Sequence, residues 1–251
     1  MKENLNDVTF LFLVRLDSVQ RLENLLVVTD VLLKHFDTNV TIWESAPYNN
    51  GILQKLLNRK IAYKFVEDRD NVLYKTRYYN EIAQTVKTPC MAIWDTDIVI
   101  DRKAIIETVS RLRNGADAAF PYSGVCYDIP EIIRALYLKN NDIRILNRNR
   151  DKMKLLYEKQ LVGGAVFVKT AKYLETGGDN ETIYGWGNDD FVRYENWKAH
   201  NFSIYRTQNP LFHLCHPRGE NSRYRTSFHN KISGAELWKI KSSSLKDFDN
   251  E

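Results

Sequence analysis

The chain has 251 residues, 43% of them hydrophobic and 27% charged, and carries a formal net charge of +4. Such a composition is ordinary for a soluble globular protein, and the mild positive balance favours small anionic partners such as phosphates over a nucleic-acid coat. The three cysteines, Cys90, Cys126 and Cys215, cannot all pair within the chain and include no CxxC, so a disulfide framework is excluded and reduced thiols in a cytoplasmic protein are expected.

The length suits one large domain. The opening "MKENLNDVTFLFLVRLD" has a short apolar run broken by Arg15, too short to span a bilayer and unlike a signal peptide. Within it, residues 8–14 read as a strand buried on both faces. Ser18 then caps a helix whose apolar face uses Leu22, Leu25, Leu26, Leu32, Leu33 and Phe36. Further strands are expected at 39–44 and 61–67, and a helix near 71–86 places Tyr74, Tyr78 and Ile82 on one stripe. A strand at 90–94 runs straight into Asp95-Thr96-Asp97. Asp101 caps a helix through Arg113, and 116–122 is the next strand.

Strands alternating with helices predict a mostly parallel sheet with helices on both faces, whose ligands bind beyond the carboxyl ends of the strands. In the second half, residues 128–160 read as helical and basic, with eight Lys or Arg against four Asp or Glu over 131–159. A strand at 161–169 is interrupted by Gly163 and Gly164. A short helix, a Gly-Trp-Gly turn at 185–187, a helix to about His200 and strands at 202–207 and 211–216 follow. Residues 241–251 read as a polar tail.

Four constellations can carry chemistry. Asp95 and Asp97 are two residues apart, so in an extended strand both face one side, where hard divalent cations take carboxylate oxygens beside a substrate's phosphates. The plainer alternative is a solvated turn. His213 and His216 bracket Cys215 ahead of Arg218, Arg223 and Arg225, a set that suits a metal and phosphate oxygens, or else a surface loop. Gly163-Gly164 inside a strand marks either a bulge or close approach of a ligand or another chain segment. Trp186 followed by Asp189 and Asp190 suits sugar chemistry: an indole packs on a pyranose face and a carboxylate takes a hydroxyl proton. An acidic first turn of a helix is the alternative there.

The order of these elements resembles the GT-A glycosyltransferases, and more narrowly their galactosyltransferase group. The matches are "DTD" (95–97), "VGGAVFV" (162–168), "GWGNDD" (185–190), His216 and the first strand ending at Val14-Arg15. The likeness covers most of 8–230. Asn188 and Phe191 depart from the family's glycine and third acid, and a segment around 124–158 has no counterpart in it.

The resemblance implies a GT-A α/β fold over 1–240, with a nucleotide-sugar half (1–122) and an acceptor half (123–240). It implies inverting transfer of a hexose-type sugar, galactose or N-acetylgalactosamine, from a UDP-sugar to a saccharide or lipid-linked saccharide in surface polysaccharide synthesis. A manganese or magnesium ion would sit on Asp97, His216 and His213. Asp190 stands at the family's base and Asp189 at an acceptor-binding acid, while Arg15, Asp17, Glu44, Arg77, Asp95, Gly164 and Trp186 would serve the donor. No nucleic-acid partner is expected, and the basic 131–159 stretch is the expected peripheral contact with the inner face of a membrane. A carbohydrate-binding module without catalysis is the rival reading. A sugar-nucleotide pyrophosphorylase is disfavoured because "VRLDSVQRLEN" lacks the glycines of a phosphate loop.

Overall fold

A computed structural model describes residues 1–157, 160–219, 221 and 226–246. Its first strand, β1 (Glu3–Val14), carries the expected apolar run, and from Val8 to Val14 every residue is buried. Ser18 caps α1 (Val19–His35), its side chain accepting from the Arg21 amide. Leu25, Leu32 and Leu33 face the core, whereas Phe36 has extended backbone and opens β2 (Phe36–Ala46) instead of closing the helix. A short α2 (Ile52–Leu56) and β3 (Ala62–Glu67) follow. Next, α3 (Lys75–Thr85) starts later than its periodicity suggests. The amides of Val72 and Leu73 are taken by the side chains of Asp70 and Asn221, which holds the chain in a turn up to Tyr74.

The buried β4 (Cys90–Trp94) leads through the DTD turn to β5 (Ile98–Val99). Asp101 caps α4 (Arg102–Arg113), and β6 (Ala118–Phe120) ends at Pro121, which has no amide to give the ladder. The expectation of one helical stretch over 128–160 is corrected. The chain makes β7 (Cys126–Ile129), α5 (Glu131–Asn140), α6 (Ile143–Arg148), a single 3-10 turn and β8 (Lys154–Leu155). Pro130 separates strand from helix, and Asn141 in the left-handed region (φ 52°) separates the two helices.

Past the glycine pair comes β9 (Ala165–Lys169), then α7 (Thr170–Glu175), α8 (Asp189–Ala199), β10 (Ile204–Arg206) and β11 (Leu211–Leu214). Residues 241–246, expected in a polar tail, continue α9 (Ser227–Lys246), and 247–251 lie outside the described residues.

The main sheet has the order β10-β6-β9-β4-β1-β2-β3. All its pairings are parallel except those of β9, which runs antiparallel to both β4 and β6. Phe10, Trp94 and Phe167, one from each of three adjacent strands, meet edge to face at 5.4–5.8 Å in its centre. Because β9 is reversed, its beginning lies at the carboxyl edge of the parallel strands, so Gly163-Gly164 and the DTD turn share that edge. The Asp95 amide donates to the Gly164 carbonyl at 2.8 Å. A second sheet, β5-β11-β7-β8, was not anticipated. Two of its four strands, β7 and β8, come from the segment without an expected counterpart.

Candidate active site

The DTD turn is not extended. The Ile98 amide bonds back to the Asp95 carbonyl, so the two carboxylates part instead of facing one side. Asp95 Oδ1 pairs with Lys75 Nζ at 3.2 Å. Asp97 turns the other way, with Oδ2 at 3.1 Å from His216 Nε2 and Oδ1 at 3.8 Å from His213 Nε2. The small sheet sets this up. On β11, His213 is the register partner of Ile98 and of Asp128, and the Leu214 amide donates to the Asp97 carbonyl. The Asp128 carboxylate sits 2.8 Å from His213 Nδ1, and the Pro217 carbonyl is 2.8 Å from His216 Nδ1. With each Nδ1 engaged on its far side, both Nε2 atoms point at the carboxylate of Asp97. The three ligand atoms lie within 4.8 Å of one another.

Burial opposes ionisation of Asp97, but His213, His216 and Arg21 outweigh it and hold the carboxyl well below the usual carboxylate range. Burial likewise opposes charge on His213, and Asp97 with Asp128 outweighs it, raising the imidazole.

Across the cavity, the Gly185–Asn188 turn delivers two acids at the start of α8. Asn188 itself has φ 61°. Asp190 Oδ1 accepts from Arg193 Nη1 at 2.7 Å, and Arg193 is held by Asp179 at 2.5 and 2.7 Å. The side chains of both Arg193 and Asp179 are 1% exposed. Burial alone would raise Asp190, but Lys75 and Arg193 lower it below the ordinary range. Its other oxygen lies over the glycine pair: a Cβ on Gly163 would be 2.3 Å from Asp190 Oδ2. The close approach expected at these glycines is therefore that of a carboxylate. Asp189 is buried, with Lys75 Nζ at 3.5 Å and its Oδ2 without a hydrogen bond. Burial pushes it up to about 6.

One cavity of about 590 Å³ is lined by both clusters, within the range of small-molecule sites. Arg15, Asp17, Asp95, Gly164 and Trp186 also line it, as does Arg218. Arg15 is already engaged with Ser45, Asp68 and the Asp70 carbonyl. Two expected donor residues stand elsewhere. Glu44 is buried beyond the cavity wall, accepting from the Tyr63 hydroxyl at 2.6 Å, and Arg77 lies on the outside of α3, paired with Glu81 at 2.8 Å. Arg223 and Arg225 lie outside the described residues.

Residue reading missed Lys75, Arg21, Asp128, Arg193 and Asp179. Arg21 follows the first strand by one helical turn and bonds Asp17 at 2.9 Å, a position that the rule of carboxyl-end loops covers. For Asp128 no local signal exists, since only the β7–β11 register brings it to His213.

No family model and no curated protein matches the chain. Solved structures do. The catalytic domain of Drosophila beta1,4-galactosyltransferase 7, solved with xylobiose, superposes with a TM-score of 0.57 at 11% identity, over 92% of this chain and 79% of that one. A mannosyltransferase from Pyrobaculum calidifontis, solved with GDP-mannose and Mn2+, gives 0.57 at 14% identity, over 96% of this chain and 64% of that one. The chain has the GT-A glycosyltransferase fold. In this glycosyltransferase fold the Asp97 cluster follows β4, and the acid pair opens a helix on the far wall of the same cavity.

Proposed function

We propose that the protein is a metal-dependent inverting glycosyltransferase that moves galactose or N-acetylgalactosamine from a UDP-sugar to a saccharide acceptor. One observation carries this: the Asp97-His213-His216 cluster and the Arg193-held Asp190 line a single cavity. The two neighbours, solved with a nucleotide sugar and Mn2+ and with a disaccharide, support the same class of substrates.

The donor set fits a divalent cation. Two imidazole nitrogens and a carboxylate oxygen converge within 4.8 Å of one another, and the imidazoles suit manganese better than magnesium, which prefers oxygen ligands. Held by Asp97, His213 and His216, the ion would supply positive charge for the leaving diphosphate. Asp190 takes the proton from the acceptor hydroxyl. Arg193 occupies its Oδ1 and leaves Oδ2 above Gly163 for that task. The hydroxyl oxygen then attacks the anomeric carbon from the face opposite the nucleotide, inverting it. Asp189 binds the acceptor, Trp186 gives a sugar an apolar face, and Arg15, Asp17, Asp95 and Gly164 line the donor side.

Peripheral contact with an anionic membrane through 131–159, in surface polysaccharide synthesis in the cytoplasm, belongs to the same reading. Among the described residues no helix is long and apolar enough to cross a membrane. Lys139, Arg144, Arg148, Arg150, Lys152 and Lys154 are exposed, whereas Arg134 turns inward to Asn24 and Glu23. Changing Arg144, Arg148 and Arg150 to Ser should abolish salt-sensitive sedimentation with anionic liposomes. Equal sedimentation of wild type and variant counts against the contact.

The test of the transferase reading is UDP release from UDP-sugars with Mn2+, in wild type and two variants. Asp190→Asn should lower turnover about 100-fold or more with UDP affinity kept. Asp97→Ala should abolish Mn2+-dependent UDP binding. Full turnover in Asp190→Asn sinks the assignment, and no UDP release from any donor favours a binding module.

A further inference from the structure

A second cavity, about 340 Å³, lies between the end of α1, the start of α4 and the α5–α6 turn. Ile98 lines both cavities, so this one sits directly behind the DTD turn. Its walls are largely apolar, with Leu32, Ile105, Tyr137 and Ile143 among them. Among its ionisable lining residues the basic ones, Lys34, His35, Arg102 and Arg144, outnumber the acids Asp101 and Asp142. Arg144 is answered by Asp142 at 2.7 Å, and the Asp101 carboxylate is spent on capping α4. That leaves Lys34, His35 and Arg102. Lys34 is exposed, and Arg102 has only a long contact to Glu3, 3.7 Å, while its Nε is buried without a hydrogen-bond partner. The local field is positive: after burial, the charges of Arg102 and Lys34 are what lower His35.

We propose that this cavity binds an anionic single-chain amphiphile, an alkyl carboxylate or alkyl phosphate, with its chain against Leu32, Ile105, Tyr137 and Ile143 and its head at Lys34 and Arg102. The apolar wall supplies affinity in proportion to the chain buried, and the cations select the charged head. A free sugar or inorganic phosphate would leave the apolar half of the site unfilled. The site does not depend on the transferase reading and would stand if the chain moved no sugar.

Isothermal titration of the full chain with hexanoate, octanoate and decanoate, with decyl phosphate and with decanol, all below their aggregation limits, tests it. The dissociation constant should tighten about fourfold per added methylene. Decanol should bind at least about tenfold more weakly than the best anion. Lys34→Glu, an exposed change that leaves the core untouched, should weaken decanoate while sparing decanol. Ile143→Trp, shown folded by its melting curve, should block all of them. Saturable binding of only one head group keeps the proposal and names the head. No saturable binding of any anion, equal affinity for decanol and decanoate, or unchanged binding in folded Ile143→Trp overturns it.

Discussion

Asp128 Oδ1 lies 2.8 Å from His213 Nδ1 across the β7–β11 ladder, and this contact fixes which ring nitrogen faces Asp97. An outer carboxylate of this kind orients a metal-binding imidazole without touching the metal. Asp128→Asn should therefore weaken Mn2+ binding about 10- to 100-fold, with the melting temperature nearly unchanged because the Asp128 side chain is 40% exposed. Free Mn2+, counted by electron paramagnetic resonance during a titration, gives the answer. Wild-type affinity in the variant would show that the β7 acid has no part in the site.

Gly163→Ala isolates the approach of Asp190. The backbone at Gly163 is not in the left-handed region, so the added methyl acts only by displacing Asp190 Oδ2, 2.3 Å away. UDP release should fall at least about tenfold through kcat, as the base role proposed for Asp190 requires, with Mn2+ affinity preserved. Gly164→Ala should behave differently. There φ is +84° and the methyl meets Leu211 at 3.1 Å, so the loss should appear as lower thermal stability. Equal kinetic behaviour of the two variants would count against a specific role for Gly163.

Arg193 makes a buried network rather than a surface pair, bridging Asp179 and Asp190. Arg193→Leu strands the buried Asp179 carboxylate without its cationic partner and should cost about 3–5 kcal/mol in urea unfolding. Asp179→Asn/Arg193→Leu together should recover part of that loss, because the deeply buried charge at position 179 is removed along with its arginine. A double variant as unstable as the sum of the single changes would mean the pair is not coupled.

Asp189 gives a pH signature. Burial holds it protonated up to about 6 in the fold, against 3.8 for the ordinary group. A folded pKa above the unfolded one means that its stabilising contribution is complete below 3.8 and lost as pH rises through about 6. Asp189→Asn removes that loss. The variant should gain on wild type between pH 4 and pH 7.5, on the order of 2–3 kcal/mol at the upper end. Parallel stability curves over that range would show that Asp189 ionises freely.

The central sheet was legible because its strands are buried on both faces and read as unbroken apolar runs, as in Val8–Val14 and Cys90–Trp94. The candidate site was legible where its residues sit at element ends: Asp97 after β4, Asp190 at the start of α8, His213 and His216 around the end of β11. What could not be read was pairing between distant segments. The basic stretch of 131–159 looked uniformly helical because Lys and Arg fit helix and strand surfaces alike, and only Pro130 and Asn141 mark its breaks. Arg77 looked like a donor contact and Lys75 did not. Two residues apart on a helix point to nearly opposite sides, and composition does not say which side meets the cavity.

The reversed strand β9 makes the two halves of the chain inseparable. Its residues, 165–169, fill the gap between β4 and β6, both of which belong to the first 122 residues. A fragment ending at residue 122 would display two open strand edges in its own centre, a template for aggregation rather than a smaller folded unit. Grafting a different second half onto this scaffold would therefore have to carry over Ala165–Lys169, or begin after it.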